Sequence, residues 1–122
     1  MDRRDVELDK FFDWLHGKWL DGFAILGPAV VTPDEIPDVR SLAVETRVSG
    51  AVRVAGNTGN MIFGFPEIVS FASRLMELHP GDVIATGMPH QEGPEIPLEP
   101  GDVVEGQIDH LGVLRNPVIA EA

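Results

Sequence analysis

The sequence predicts an α+β fold that is mainly β with short helices, and three local patterns carry that prediction. Val44, Thr46 and Val48 face one way while Glu45 and Arg47 face the other, and Val52 and Val54 repeat the alternation after Ser49-Gly50. A period of two is that of a strand with one buried face, so the two runs read as a hairpin. Pro-Gly-Asp-Val occurs twice, from Pro80 and from Pro100, each time placing Pro-Gly to form a type II turn that feeds a valine-rich strand. Between these patterns, Ile68, Phe71, Ala72 and Leu75 make one apolar stripe after Pro66, which suits the first turn of a helix. That helix is expected to end near Leu78, ahead of Pro80-Gly81.

The remaining segments follow in chain order. Residues 5–20 mix charges with Leu8, Phe11, Phe12, Trp14, Leu15 and Trp19 at loose helical spacing, predicting a short helix that Gly17 ends. Gly22, Gly27, Pro28, Pro33 and Pro37 then interrupt any long element, leaving Ala29, Val30 and Val31 as a brief buried strand. Asn57, Thr58, Gly59 and Asn60 form a polar loop. Pro89, Pro94, Pro97 and Pro100 are too many for a helix or a central strand, so the stretch between the two Pro-Gly-Asp-Val units is a loop.

Composition narrows the function classes. A chain of 122 residues with 43% hydrophobic and 24% charged residues has room for one globular core, so residues 1–122 are read as one domain. No apolar run reaches the roughly 20 residues that span a bilayer, and the charged start MDRRDVELDK lacks the apolar stretch of a signal peptide. No membrane association and a cytoplasmic address are the expectation. The absence of cysteine removes disulfides, thiolate catalysis and zinc ribbons, so any metal would be held mostly by oxygen. A net charge of −11 repels phosphate backbones and argues against nucleic acid as a partner.

Taken in order, the motifs resemble the fumarylacetoacetate hydrolase family, specifically the C-terminal part of its catalytic domain. They are Arg4-Asp5-Val6-Glu7, Gly17-Lys18-Trp19-Leu20-Asp21-Gly22-Phe23, Leu26-Gly27-Pro28, Thr32-Pro33-Asp34-Glu35-Ile36-Pro37-Asp38, Gly56-Asn57-Thr58 and Met61-Ile62-Phe63. Pro80 to Gly87, Pro100 to Val104 and Leu114-Arg115-Asn116-Pro117-Val118 complete the set. Each piece alone is weak, and together they cover nearly the whole chain. The resemblance implies a β-roll or sandwich with short helices, usually paired as a homodimer. It further implies chemistry on 2-oxo and enol acids through bound magnesium, manganese or calcium: C–C bond hydrolysis, isomerisation or decarboxylation. A hard divalent cation suits such substrates, because it chelates a 2-oxo carboxylate and stabilises a developing enolate.

Residue by residue, Lys18 matches the family's active-site lysine, whose ammonium adds positive charge beside the enolate. Arg4 matches an arginine able to grip a substrate carboxylate with its fork of donors. Glu7 stands where the family often has a substrate-contacting glutamine, and so exchanges an amide donor for a negative charge. Gly87 and Met88 fall on the family's substrate-carboxylate loop, where a threonine is replaced by Met88, a thioether that cannot donate a hydrogen bond. Asp21, before Gly22, is read as a turn residue. His16, His79, His90 and His110 lack metal-ligand spacing, and no general base is assigned among them.

No metal ligand is assigned within the chain. The family's Glu-x-Glu pair and its third acidic ligand would fall before Met1, and Asp2 and Asp5 occupy other positions of the pattern. The chain is therefore expected to be an N-terminally truncated form of the domain, inactive alone and binding metal weakly. Three arrangements fit: a subunit completed by a separate N-terminal segment, a shortened form of an ordinary enzyme, or a non-catalytic dimerising or regulatory module. Self-association is expected wherever shared core is exposed.

Overall fold

The computed structural model describes residues 20–90 and 97–120, so the helix expected to end at Gly17 lies outside the described residues. Four strands, β1 (Ala43–Val48), β2 (Ala51–Asn57), β3 (Val103–Ile108) and β4 (Gly112–Pro117), form one antiparallel sheet in the order β2-β1-β3-β4. A helix, α1 (Phe65–Leu75), lies between β2 and β3, and short 3-10 turns occupy Pro33–Glu35 and Thr58–Asn60.

The expected hairpin is β1–β2. Ser49 (φ 49°) and Gly50 (φ 83°) both take left-handed backbone, the geometry whose twist matches a two-residue connection. β3 runs antiparallel to β1, pairing Val44 with Ile108 and Val48 with Val104. Side chains close both ends of this ladder. The Ala43 N–H donates to Asp109 Oδ2 at 2.9 Å. At the other end, the Ser49 hydroxyl donates to Asp102 Oδ1 at 2.7 Å, tying the hairpin turn to the turn that precedes β3.

Both Pro-Gly-Asp turns form as the sequence predicts. Gly81 (φ 102°) and Gly101 (φ 101°) are left-handed, and the N–H groups of Asp82 and Asp102 donate to the carbonyls of His79 and Glu99 at 3.1 and 3.0 Å. Each aspartate also accepts from the N–H three residues back, at 2.7 Å from His79 and 3.0 Å from Glu99. Only the second turn feeds a strand. After the first, residues 83–90 join no ladder and Val83 is exposed, correcting the expected second strand: turn chemistry can start an extended segment but cannot supply the neighbour that would pair with it.

The brief buried strand at Ala29, Val30 and Val31 is also corrected. These residues form no strand, and Val30 is 98% exposed. Pro28 and Pro33 bracket a segment too short to establish a ladder, and the chain passes directly into the 3-10 turn at Pro33. α1 begins as expected, with Pro66 in its first turn and the Gly64 N–H donating to Glu67 Oε2 at 2.8 Å. It stops at Leu75, three residues before the expected end, because Met76 turns to extended backbone (φ −150°) and carries the chain toward the His79 turn. Within the helical stripe Ile68 and Ala72 are half-buried, whereas Phe71 and Leu75 are exposed.

One face of the sheet is partly covered. It carries Val44, Thr46, Val48, Val54, Val104 and Leu114, with Gly27-Pro28 over one end and the segments around Met88 and Leu98 over the other. Among the described residues Leu42 (6% exposed) and Val54 (4%) are the buried hydrophobic ones. No helix among the described residues is long and apolar enough to cross a membrane.

Candidate functional site

Of the residues singled out from sequence, Gly87 and Met88 are described. Lys18, Arg4 and Glu7 lie outside the described residues, as do Asp2 and Asp5. The approach to Gly87 and Met88 is built from the sheet. Pro89 lies on Gly56 of β2, so close that a Cβ on Gly56 would stand 2.6 Å from the Cβ and Cγ of the proline ring. The glycine permits the contact, which seats the Gly87-Met88-Pro89 segment on the covered face. Gly87 itself is left-handed (φ 88°), turning the chain just before Met88.

Met88 is 67% exposed and lines an open cavity of about 210 Å³. Val54, Leu98 and Val104 supply apolar walls, while Arg53 and Asp102 bring charge. Both oxygens of Asp102 are engaged, one by the Ser49 hydroxyl and the other by the Glu99 N–H. The Glu99 N–H and then the Ser49 hydroxyl stabilise the carboxylate and hold its pKa below the ordinary value, with Arg53 adding a weaker attraction.

The alternation expected at Val52 and Val54 is corrected by the register of β2: Val54 is buried and Val52 is exposed on the other face. Thr46 pairs with Val54 and Arg47 with Val52, so Arg53 stands opposite no residue of β1. This is a β-bulge, a feature that re-aims side chains, and it lets Arg53 line the same cavity as its neighbour Val54. A charged residue inside an apolar run was the signal available in the sequence. The bulge itself leaves no mark there.

A second polar cluster positions the loop behind β2. The Leu42 N–H donates to Thr58 Oγ1 and the Thr58 N–H donates to the Leu42 carbonyl, both at 2.9 Å. Gly59 lets the carbonyl of Arg40 approach, since a Cβ there would stand 2.7 Å from that oxygen. The Gly56-Asn57-Thr58 motif thus locks the end of β2 onto the residue that precedes β1.

Asp21 sits in a turn closed by the Phe23 N–H on the Leu20 carbonyl at 3.1 Å. His79 and His90 are exposed, and His110 occupies the β3–β4 turn with left-handed backbone (φ 65°). Among the described residues no three His, Asp or Glu side chains converge on a point where a metal could sit, so the described part of the chain does not by itself fit a divalent cation.

Residues 1–119 match the family described as fumarylacetoacetate (FAA) hydrolase C-terminal. The chain is 43% identical over 110 residues to the mitochondrial oxaloacetate tautomerase fahd2 of Xenopus laevis, covering 87% of this chain and 34% of that protein. Its fold is similar to that of a fumarylacetoacetate hydrolase from Exiguobacterium antarcticum, with a TM-score of 0.85 and 40% identity over 97% of this chain and 43% of that one. The maleylpyruvate hydrolase of Sphingobium sp. SYK-6, solved with manganese(II) and pyruvate, gives a TM-score of 0.69 and 33% identity, covering 76% of this chain and 34% of that one. The chain thus spans about a third of the curated relative's length.

Proposed function

The chain belongs to the fumarylacetoacetate hydrolase family, and from that premise we propose that it is the C-terminal portion of a metal-dependent enzyme acting on 2-oxo or enol acids. The reaction is C–C bond hydrolysis, isomerisation or decarboxylation. The observation that carries this reading is the seating of Gly87-Met88 by Pro89 on Gly56, beside an open cavity that a small organic acid can enter. In this reading Lys18 donates to the enolate oxygen or carboxylate as charge develops, Arg4 grips a substrate carboxylate, and the backbone at Gly87 and Met88 fixes its orientation. Glu7 tunes the charge next to that anion. The location is cytoplasmic and the partner is a second copy of the chain or a complementing N-terminal segment.

The described residues do not form the metal site, so the reading assigns the magnesium or manganese ligands to residues outside them and routes no step through the ion. The 122-residue chain alone is inactive in this proposal. The test is calorimetric titration of the pure chain with magnesium and manganese, with and without oxalate, alongside oxaloacetate and acylpyruvate turnover. Weak binding and no turnover by the chain alone, with turnover restored by a segment carrying a Glu-x-Glu pair, is the expected result. Metal-dependent turnover by the chain alone sinks the requirement for a partner segment. No turnover under any complementation favours the non-catalytic dimerising or regulatory module.

A further inference from the structure

Arg53 is the charged residue of the run AVRVAGN that forms β2. In an unbroken strand it would point away from Val54. The bulge at Arg53 removes that constraint, and both residues line the cavity beside Met88. The Arg53 Nε is buried and has no hydrogen-bond partner. An unpaired Nε leaves the guanidinium charge without an acceptor at that edge; because the Nε itself is closed off, a ligand in the cavity would be met by the terminal amino groups of Arg53. The acidic side chain that shares the cavity is Asp102, whose two oxygens accept from the Ser49 hydroxyl and the Glu99 N–H. Its charge is felt by Arg53, and each of its oxygens already accepts one hydrogen bond from a group other than Arg53. Among the other walls, Val54, Met88 and Leu98 offer no anionic acceptor. A space of about 210 Å³ corresponds to about seven waters at roughly 30 Å³ each, enough for a carboxylate and a few carbons.

We propose that Arg53 is a carboxylate-binding residue, and that the cavity it shares with Met88 receives the carboxylate remote from the 2-oxo group of a dicarboxylic substrate. The assignment to that carboxylate rests on the function proposed above, in which Arg4 and the backbone at Gly87 and Met88 hold one substrate carboxylate, here the one beside the 2-oxo group. Apolar walls take the carbons between the two, and the planar guanidinium takes the charge at the end.

Two measurements test this. In the full 122-residue chain, the ¹⁵N resonance of Arg53 Nε is followed during titration with succinate, and with sodium chloride at matched ionic strength. A saturable shift with succinate and none with chloride is expected, with Arg53→Gln abolishing the succinate response of the Met88 methyl and Arg53→Lys weakening it about tenfold. No saturable shift, or an equal one with chloride, overturns the site. Circular dichroism melts of both variants establish that they fold. In the complemented, active assembly, Arg53→Gln is expected to raise KM about tenfold for oxaloacetate and leave unchanged the KM for an acylpyruvate without a second carboxylate. Equal effects on both substrates overturn the assignment to the remote carboxylate. If Arg53 responds to succinate but no assembly turns over a 2-oxo acid, the carboxylate site stands and the proposed function falls.

Discussion

Pro89 lies against Gly56 with no room for a side chain between them: a Cβ on the glycine would meet two ring carbons at 2.6 Å. This contact joins the Gly87-Met88 segment to the sheet. Gly56→Ala must therefore displace either the proline or the strand, and overpacking of this kind costs about 1–3 kcal/mol. The matching control is Gly106→Ala in β3, where no atom lies within 4 Å of the added Cβ and the cost stays within about 0.5 kcal/mol. Urea melts of the two variants check the difference, and equal midpoints would mean that the contact does not constrain the loop.

Thr58→Val keeps the shape of the side chain but removes the acceptor of the Leu42 N–H. Because Leu42 is buried, the amide is left without its partner, at a cost of about 1–3 kcal/mol. Hydrogen exchange at the Leu42 amide should accelerate in step with the loss of stability. An unchanged exchange rate would show that the bond contributes little.

The Asp102 carboxyl titrates below its ordinary value of 3.8 in the folded chain, first through the Glu99 N–H and then through the Ser49 hydroxyl. A lowered folded pKa stabilises the folded state above the unfolded pKa, and that contribution disappears as pH falls through 3.8 and then through the folded value. Asp102→Asn is thus expected to melt below the wild type near neutrality, with the gap in Tm narrowing as the pH drops below about 4. A gap independent of pH would remove the charged form of Asp102 from the account.

Met88→Thr restores a hydroxyl at a position that is 67% exposed, so stability should change by less than about 0.5 kcal/mol. In an active assembly the new donor is expected to lower KM for a 2-oxo acid by about tenfold, in line with one hydrogen bond to a charged group. Steady-state kinetics with pyruvate-type acids make the comparison. A KM that rises instead would mean that the thioether packs against the substrate.

Lys18→Ala tests the catalytic reading most directly. In the same active assembly kcat should fall about 10²–10³-fold, the scale of losing one donor aimed at developing negative charge, with a smaller change in KM. An unchanged kcat would return Lys18 to the surface.

The hairpin, the two Pro-Gly-Asp turns and the start of α1 were legible because each is encoded within a few residues. Ser49-Gly50 tolerates the left-handed backbone the hairpin needs, and Gly81 and Gly101 do the same for their turns. Lys18, Arg4, Glu7, Gly87 and Met88 were legible only through motif resemblance. Of these, Gly87 and Met88 fall where the structure describes a loop held over the sheet. The segments that misled the reading, Ala29 to Val31 and Val83 onward, have strand-like composition but no partner among the described strands. β-propensity measures fit to a neighbour, and a neighbour distant in sequence cannot be read locally.

By itself the sequence determined the turns, the alternation of β1, the acidic charge and the family, because these depend on residue type and near-neighbour spacing. The tertiary structure decided which strands pair, that Arg53 falls at a bulge and lines the cavity beside Val54, and that Pro89 closes on Gly56. Those outcomes arise from contacts between residues far apart in the chain, such as β1 with β3, whose register is set only when both are packed in one sheet.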